Sequence, residues 1–301
     1  MGRIVISNEP EEEILKAILS IEGHDVEVIE DEGEIIELID KREVDLLILG
    51  GPFFNYDGYK LCERVRGKLV PILLLAHPED RIRAIECGGD GIIEKPLRRV
   101  EVLAHTRTLL KVKKMEEELL LLDKAIESLA SAIEAKDPYT EGHTLRVANY
   151  MVKLSEAMGM KEEDIRRGGI LHDVGKIGVR DEILTKKGPL NSWEWERIKE
   201  HPIIGERIVK PLGSRIIESI VRHHHERYDG KGYPDGLKGE EIPIYGRMMS
   251  VVDAFDAMIS ERPYRKALSR EEAMEVLKKE RGKQFDPEIA SIFLDILSHE
   301  N

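Results

Sequence analysis

Cysteine is scarce in this chain, with only Cys62 and Cys87 in 301 residues. Two thiols are too few for a disulfide framework and point to a reducing compartment. Aromatic residues are also sparse at 5%, so aliphatic side chains must fill the cores that a 41% hydrophobic content can build. No apolar run approaches the ~18–20 residues of a membrane span. The opening segment, residues 1–7, lacks the apolar stretch of a signal peptide. No membrane association and a cytoplasmic location are therefore expected. An excess of positive charge is missing too: the net charge is −13, which argues against a nucleic-acid binder.

That charge is uneven. Residues 1–97 hold 11 Lys/Arg against 22 Asp/Glu, a net of −11, whereas the other 204 residues hold 35 against 37, a net of −2. The second part of the chain can therefore bind an anion through metals and local basic groups.

Within residues 3–97, short apolar runs alternate with amphipathic stretches. Ile4–Ile6, Val26–Ile29, Leu46–Leu49, Ile72–Leu75 and Ile92–Ile93 read as five strands. Continuous apolar runs suit strands covered on both faces of a parallel sheet. The alternation predicts an α/β, doubly wound five-stranded parallel sheet. Residues 98–136 contain no Gly or Pro and read as one long linker helix. Its apolar positions Val112, Met115, Leu119, Leu122, Ile126, Leu129 and Ile133 step by 3 and 4 in turn. That is a heptad seam suited to a parallel coiled coil, hence a homodimer through this helix. The competing reading is a stripe packed on its own catalytic domain. From residue 137 to 301 the pattern is helical, over residues 143–158, 162–173, 192–210, 212–224, 244–260, 269–280 and 286–298, punctuated by Pro and Gly, and predicts an all-α bundle.

The chemistry is concentrated in that bundle. His143, His172, Asp173, His201, His224, His225 and Asp253 are imidazoles and carboxylates, the ligands of borderline and hard divalent metals. Seven groups exceed what one ion takes, typically about four to six. An adjacent His-Asp lets the carboxylate bridge two ions while the imidazole holds one. Paired metals polarise a phosphoryl group and generate a hydroxide nucleophile. A two-metal phosphoesterase is the reading. Asp253 lies in the apolar run Met248–Met258, where a carboxylate needs a partner to offset desolvation. Lys176, four residues past His172, can share its face if the turn continues. Neither Asp256 nor His223 is expected to ligate: Asp256 should support its helix or the site, and His223 should support the site or lie at the surface.

His172-Asp173-Val174-Gly175-Lys176, His224-His225-Glu226 and Gly232-Tyr233-Pro234 together closely resemble the HD-GYP phosphodiesterases. The resemblance covers roughly residues 125–298. It implies hydrolysis of cyclic di-GMP to pGpG, with a second cleavage to GMP left open, by two divalent ions, Fe or Mn. It places His172, His143 and Asp253 on one ion, His201, His224 and His225 on the other, and Asp173 between them. It implies substrate contacts from Lys176, Gly232, Tyr233, Arg262 and Arg265, and a GGDEF-type or other signalling partner. Some members add a third metal through a Glu four residues before the first His; Tyr139 stands there, which favours two ions. The rivals are a cyclic-dinucleotide sensor with little turnover, and an enzyme for another cyclic dinucleotide such as cyclic GMP-AMP.

Residues 1–97 resemble a response-regulator receiver domain, on five βα units, Asp57-Gly58-Tyr59 and Lys95-Pro96. The site is degenerate. Gly50 stands where the phospho-accepting Asp is expected, Ser7-Asn8 where the acidic pair is, and Ala76 where a hydroxyl is. Glycine has no nucleophile, so a receiver fold without phosphotransfer at that position is predicted.

Overall fold

The protein is described from a computed structural model, which covers residues 2–7, 10–53, 56–136, 142–161, 163–186, 188–261 and 266–299. It divides into two compact units, Met1–Leu121 and Leu122–Asn301. Among the described residues, no helix is long and apolar enough to cross a membrane.

The first unit contains strands β1 (Arg3–Ser7), β2 (Asp25–Ile29), β3 (Leu46–Gly50), β4 (Ile72–Ala76) and β5 (Gly91–Glu94). They form one parallel sheet in the order β2-β1-β3-β4-β5, a doubly wound arrangement. Helices α1 (Glu12–Ile21), α2 (Glu32–Asp40), α3 (Gly58–Val65) and α4 (Arg81–Glu86) connect them. Successive residues of a strand point to opposite faces, so each apolar run feeds two cores. Val5, Leu47, Leu49 and Leu74 enter one; Ile4, Ile6, Leu46, Ile48, Leu73 and Leu75 enter the other. A short antiparallel pair that the apolar pattern does not signal, Pro52–Phe53 with Tyr56–Asp57, follows β3.

At the strand ends the expected phosphorylation chemistry is absent. Gly50 ends β3 and its amide donates to Ser7 Oγ at 3.4 Å, while Ala76 is fully buried. Lys95, nearly covered, is paired at 2.7 Å with Glu11. Asn8 and Glu9 lie outside the described residues.

Helix α5 (Arg99–Glu134) is continuous over 36 residues. Val102 and Leu109 enter the core of the first unit, whereas Ile126, Ala130 and Ile133 enter that of the second. The heptad stripe is thus divided. Ile126 and Ile133 are buried within the second unit, and Val112, Met115, Leu119, Leu122 and Leu129 remain 44–59% exposed.

The second unit is helical: α6 (His143–Ala157), α7 (Glu163–Leu171), α8 (Asp181–Leu184), α9 (Ser192–Ile198), α10 (His201–Val209), α11 (Arg215–His223), α12 (Ile244–Ile259), α13 (Arg270–Glu280) and α14 (Pro287–His299). The sequence pattern suggested one helix over residues 192–210; the structure breaks it between Ile198 and His201. Pro202 supplies the reason, because its ring clashes with the carbonyl of the residue four before it, which is Ile198. One apolar core gathers α6, α12, α13 and α14 around Phe255 and Phe293; a second gathers the end of α5 with α7, α10 and α11.

Both thiols are buried in the first unit. Burial, with a hydrogen-bonding contact to Cys87, pushes the Cys62 thiol up to about 12. A buried thiol that stays protonated is a poor nucleophile. Neither cysteine should react with a disulfide reagent at pH 8 in the native protein, and both should titrate once it is unfolded. Rapid native labelling at Cys62 would contradict this packing.

Candidate metal centre

Three helix ends aim three imidazoles inward. Helix α7 ends at Leu171, so His172 and Asp173 lie in the turn just past it, not within it as the apolar pattern suggested. His172 Nδ1 meets the Gly169 carbonyl at 2.8 Å, His201 Nδ1 meets that of Ile198 at 2.7 Å, and His224 Nδ1 meets that of Val221 at 2.8 Å. The last carbonyls of a helix lack intrahelical partners, and each ring donates to one of them. Only an N–H can donate to a carbonyl, so Nδ1 carries a proton, and in the neutral ring Nε2 then keeps a lone pair.

Those lone pairs converge. His201 Nε2 and His224 Nε2 are 3.1 Å apart. Burial, with the neighbouring imidazoles, holds His224 well below the usual histidine range, and burial takes His225 down to about 3. In the Nδ1–H tautomer both Nε2 atoms are acceptors, and at that distance they repel unless a cation lies between them. Bond lengths of ~2.0–2.1 Å to a divalent ion put neighbouring ligand atoms about 3 Å apart. The buried His172 Nε2 makes no hydrogen bond, although Asp173 Oδ2 is 3.3 Å away. An orphaned buried acceptor among such neighbours fits a metal ligand.

Asp173 faces both sides. Its Oδ1 lies 3.3 Å from His201 Nε2 and 3.8 Å from His224 Nε2; its Oδ2 lies 3.3 Å from His172 Nε2 and 2.7 Å from Lys176 Nζ. Burial would raise this carboxyl, but Lys176 and the imidazoles outweigh it and hold it well below the carboxylate range. Two groups of potential ligand atoms result, each within 4.8 Å: Asp173, His201, His224 and His225, and His143, His172 and Asp253. In the second, Asp253 Oδ1 is 3.4 Å from His143 Nε2, and Asp256 Oδ2 is 2.7 Å from His143 Nδ1. Asp256 is itself gripped by Arg146 at 2.7 Å. A carboxylate behind a ligating imidazole fixes its orientation and raises its basicity. The donor set therefore fits two borderline divalent ions.

The description "HD domain" matches residues 127–289, and "Response regulator receiver domain" matches residues 4–107. The chain belongs to the HD domain family. It is 34% identical to the cyclic di-GMP phosphodiesterase response regulator RpfG of Xanthomonas campestris pv. campestris, over 83% of this chain and 75% of that protein. It is 32% identical to a cyclic di-GMP phosphodiesterase of Thermotoga maritima, over 97% of this chain and 89% of that one. It is 35% identical to a 3'3'-cGAMP-specific phosphodiesterase 2 of Vibrio cholerae, over 56% of this chain and 34% of that one.

Glycines set the close approaches in this HD domain. A Cβ on Gly175 would lie 1.9 Å from the His201 carbonyl oxygen, and one on Gly232 would lie 2.3 Å from the Arg227 amide nitrogen. The first lets the turn after Asp173 touch the start of α10. The second folds the Gly232-Tyr233-Pro234 loop onto the segment after His225. Tyr233 donates its amide to the His225 carbonyl at 3.2 Å, and its ring lies 4.7 Å from the His225 ring at 32°. Gly232 and Tyr233, two of the five residues that the resemblance assigns to substrate, thus also buttress His225, and both line a cavity of about 430 Å³ beside it.

Several supporting groups were given no role by sequence reasoning. Glu226, 2% exposed, accepts the amides of Asp235 at 2.7 Å, Gly236 at 3.1 Å and Leu237 at 3.1 Å. Glu134 accepts the amides of Gly142 at 3.1 Å and Thr144 at 2.8 Å, on either side of His143. Their only sequence signal is an acidic residue near a ligand. His223 points elsewhere, its Nε2 3.4 Å from Asp235. Arg262 and Arg265, assigned to substrate by resemblance, and Tyr139 lie outside the described residues.

Hydrogen bonds to a charged group contribute ~1.5–3 kcal/mol each, and they are not additive. Replacing Glu226 by Ala should lower unfolding free energy by about 3 kcal/mol, read from urea denaturation. It should also reduce the bound metal per chain. An unchanged midpoint would show that the loop is held by other means.

Proposed function

We propose that this protein hydrolyses cyclic di-GMP to pGpG, and that cleavage of pGpG to GMP is the step to look for next. The observation that carries the reading is the pair of facing ligand groups spanned by Asp173, next to a cavity of about 430 Å³. Its relatives of known activity, named as cyclic dinucleotide phosphodiesterases, support the substrate class. We assign His143, His172 and Asp253 to one ion, His201, His224 and His225 to the other, and Asp173 to both. Iron or manganese suits this mixed nitrogen and oxygen set.

When bound, such ions supply Lewis acidity and a hydroxide from water at neutral pH. The side chains do the rest. The Nδ1 bonds to backbone keep His172, His201 and His224 in the tautomer that ligates. Asp256 orients His143. Lys176, poised on Asp173, offers its ammonium to a non-bridging phosphoryl oxygen as charge develops there. Attack at phosphorus forms a new P–O bond and breaks the bond to the 3′ oxygen, which leaves as a hydroxyl after taking a proton. The product then carries a 5′ phosphate, as pGpG does. The same geometry would open 3'3'-cGAMP, so both substrates belong in one competition assay.

Protein purified anaerobically and reloaded with Fe(II) or Mn(II) should convert cyclic di-GMP to pGpG or GMP on a chromatogram. The His172→Ala and Asp173→Ala variants should lose cleavage, because each removes a ligand from the shared region. Intact substrate with two metals bound would favour a sensor with little turnover. Cleavage retained in either variant would remove the assignment.

We also propose a homodimer through α5, regulated by a receiver domain that Gly50 leaves without an acceptor. Val112, Met115, Leu119 and Leu122 keep heptad spacing and are 44–54% exposed, which suits a seam against a second copy. A Leu119→Glu substitution should shift the mass measured by light scattering from dimer toward monomer. A monomeric wild-type protein would end this part of the proposal.

A further inference from the structure

We infer that Trp195 is the platform on which a guanine base of the substrate stacks, with Lys199 beside it for the phosphate outside the metal centre. The inference rests on the cyclic di-GMP reading and adds residues to it. Trp195, Lys199 and Lys231 line the same cavity of about 430 Å³ as His225, Gly232 and Tyr233. That volume falls in the range of small-molecule sites, about 300–1,000 Å³.

The two tryptophans of the chain lie two residues apart on α9. Side chains at that spacing are about 200° apart around a helix, so they face opposite ways. Trp193, 55% exposed, has the Arg197 guanidinium carbon 5.8 Å from its ring centroid and does not line the cavity. Trp195 lines the cavity and is 48% exposed overall. A large apolar ring held open beside a polar site has a use for a flat ligand.

The platform is rigid before any ligand arrives. Asn191 and Glu194 form a capping box at the start of α9, and Lys186 holds both oxygens of Glu194 at 2.7 and 2.6 Å. Trp195 donates its own amide to the Asn191 carbonyl at 3.0 Å. Lys199 lies four residues beyond Trp195, on the same side of the turn, with its ammonium 2.9 Å from the exposed Glu196. A planar ring and an ammonium side by side match the two chemical parts of a nucleotide. A cyclic dinucleotide with one phosphodiester at the metal centre must place its second phosphodiester and its bases outside it. The cavity next to His225 is where this chain offers stacking and positive charge together.

The test uses the metal-loaded full chain, and the fact that it has only two tryptophans. In the Trp193→Phe variant, Trp195 is the sole indole. Stopped-flow mixing with excess cyclic di-GMP should quench its fluorescence at once, and the signal should recover as substrate is consumed. The Trp195→Phe variant, reporting from Trp193, should show no such phase. Stacking on an aromatic side chain is sensitive to truncation, so Trp195→Ala should raise KM about 10-fold with kcat unchanged, and Trp195→Phe should restore most of it. Cleavage of cyclic di-GMP by the Trp193→Phe variant without any quench would overturn the Trp195 assignment and leave the proposed activity standing. A wild-type protein that neither cleaves nor binds cyclic di-GMP would overturn both.

Discussion

The arrangement that the rest of the catalytic unit depends on is a hydrogen bond made three times. A histidine just beyond a helix end donates Nδ1–H to a carbonyl three residues back, as His172 does to Gly169, His201 to Ile198 and His224 to Val221. Each bond satisfies a carbonyl that the helix leaves unpaired. Each also fixes the tautomer and turns Nε2 toward a common centre. The cost is the repulsion of converged lone pairs, seen in the 3.1 Å between His201 and His224. Helix capping and metal affinity are therefore one structural decision, because a ring that let go of its carbonyl would lose both its cap and its aim.

Around that centre, carboxylates act at one remove. Asp256 sets the His143 ring, and Glu226 gathers three amides of the loop whose Tyr233 lies on His225. Buried carboxylates are tolerable here because each is hydrogen-bonded or paired. The same rule explains the close glycines. A side chain at Gly175 or Gly232 would push apart the segments that carry Asp173, His201 and His225.

Much of this was legible in the sequence, for local reasons. Continuous apolar runs located all five strands of the sheet, since a strand buried on both faces needs no alternation. The His-Asp pair and the other five candidate ligands were visible by residue type, and the structure brings all seven together in two groups. What was not legible depends on groups distant in sequence. Nothing near Lys95 announces Glu11 as its partner, and nothing near His143 announces Glu134. The break before His201 was available in principle, since a proline at 202 disfavours an unbroken helix running from Ile198 through it. The apolar spacing carried on across that break and hid it. The heptad stripe left its cover open, because periodicity reports which side of a helix is apolar without saying what covers it. Ile126 and Ile133 belong to the catalytic unit's own core.

The end of α5 therefore does more than join two folded units. Its last turn carries Glu134, whose two oxygens hold the amides of Gly142 and Thr144 on either side of His143. A few residues earlier, Asp123 and Glu127 hold Arg167 and Arg166 of α7, the helix that ends at His172. Ile126, Ala130 and Ile133 pack in the same core as Leu171 and Val174, which flank His172 and Asp173. Two of the three residues assigned to one ion are thus positioned by α5 through their immediate neighbours. An input that displaced the end of that helix would have to move those ligands or break the ion pairs that hold them, so the metal centre and the linker helix share one mechanical frame.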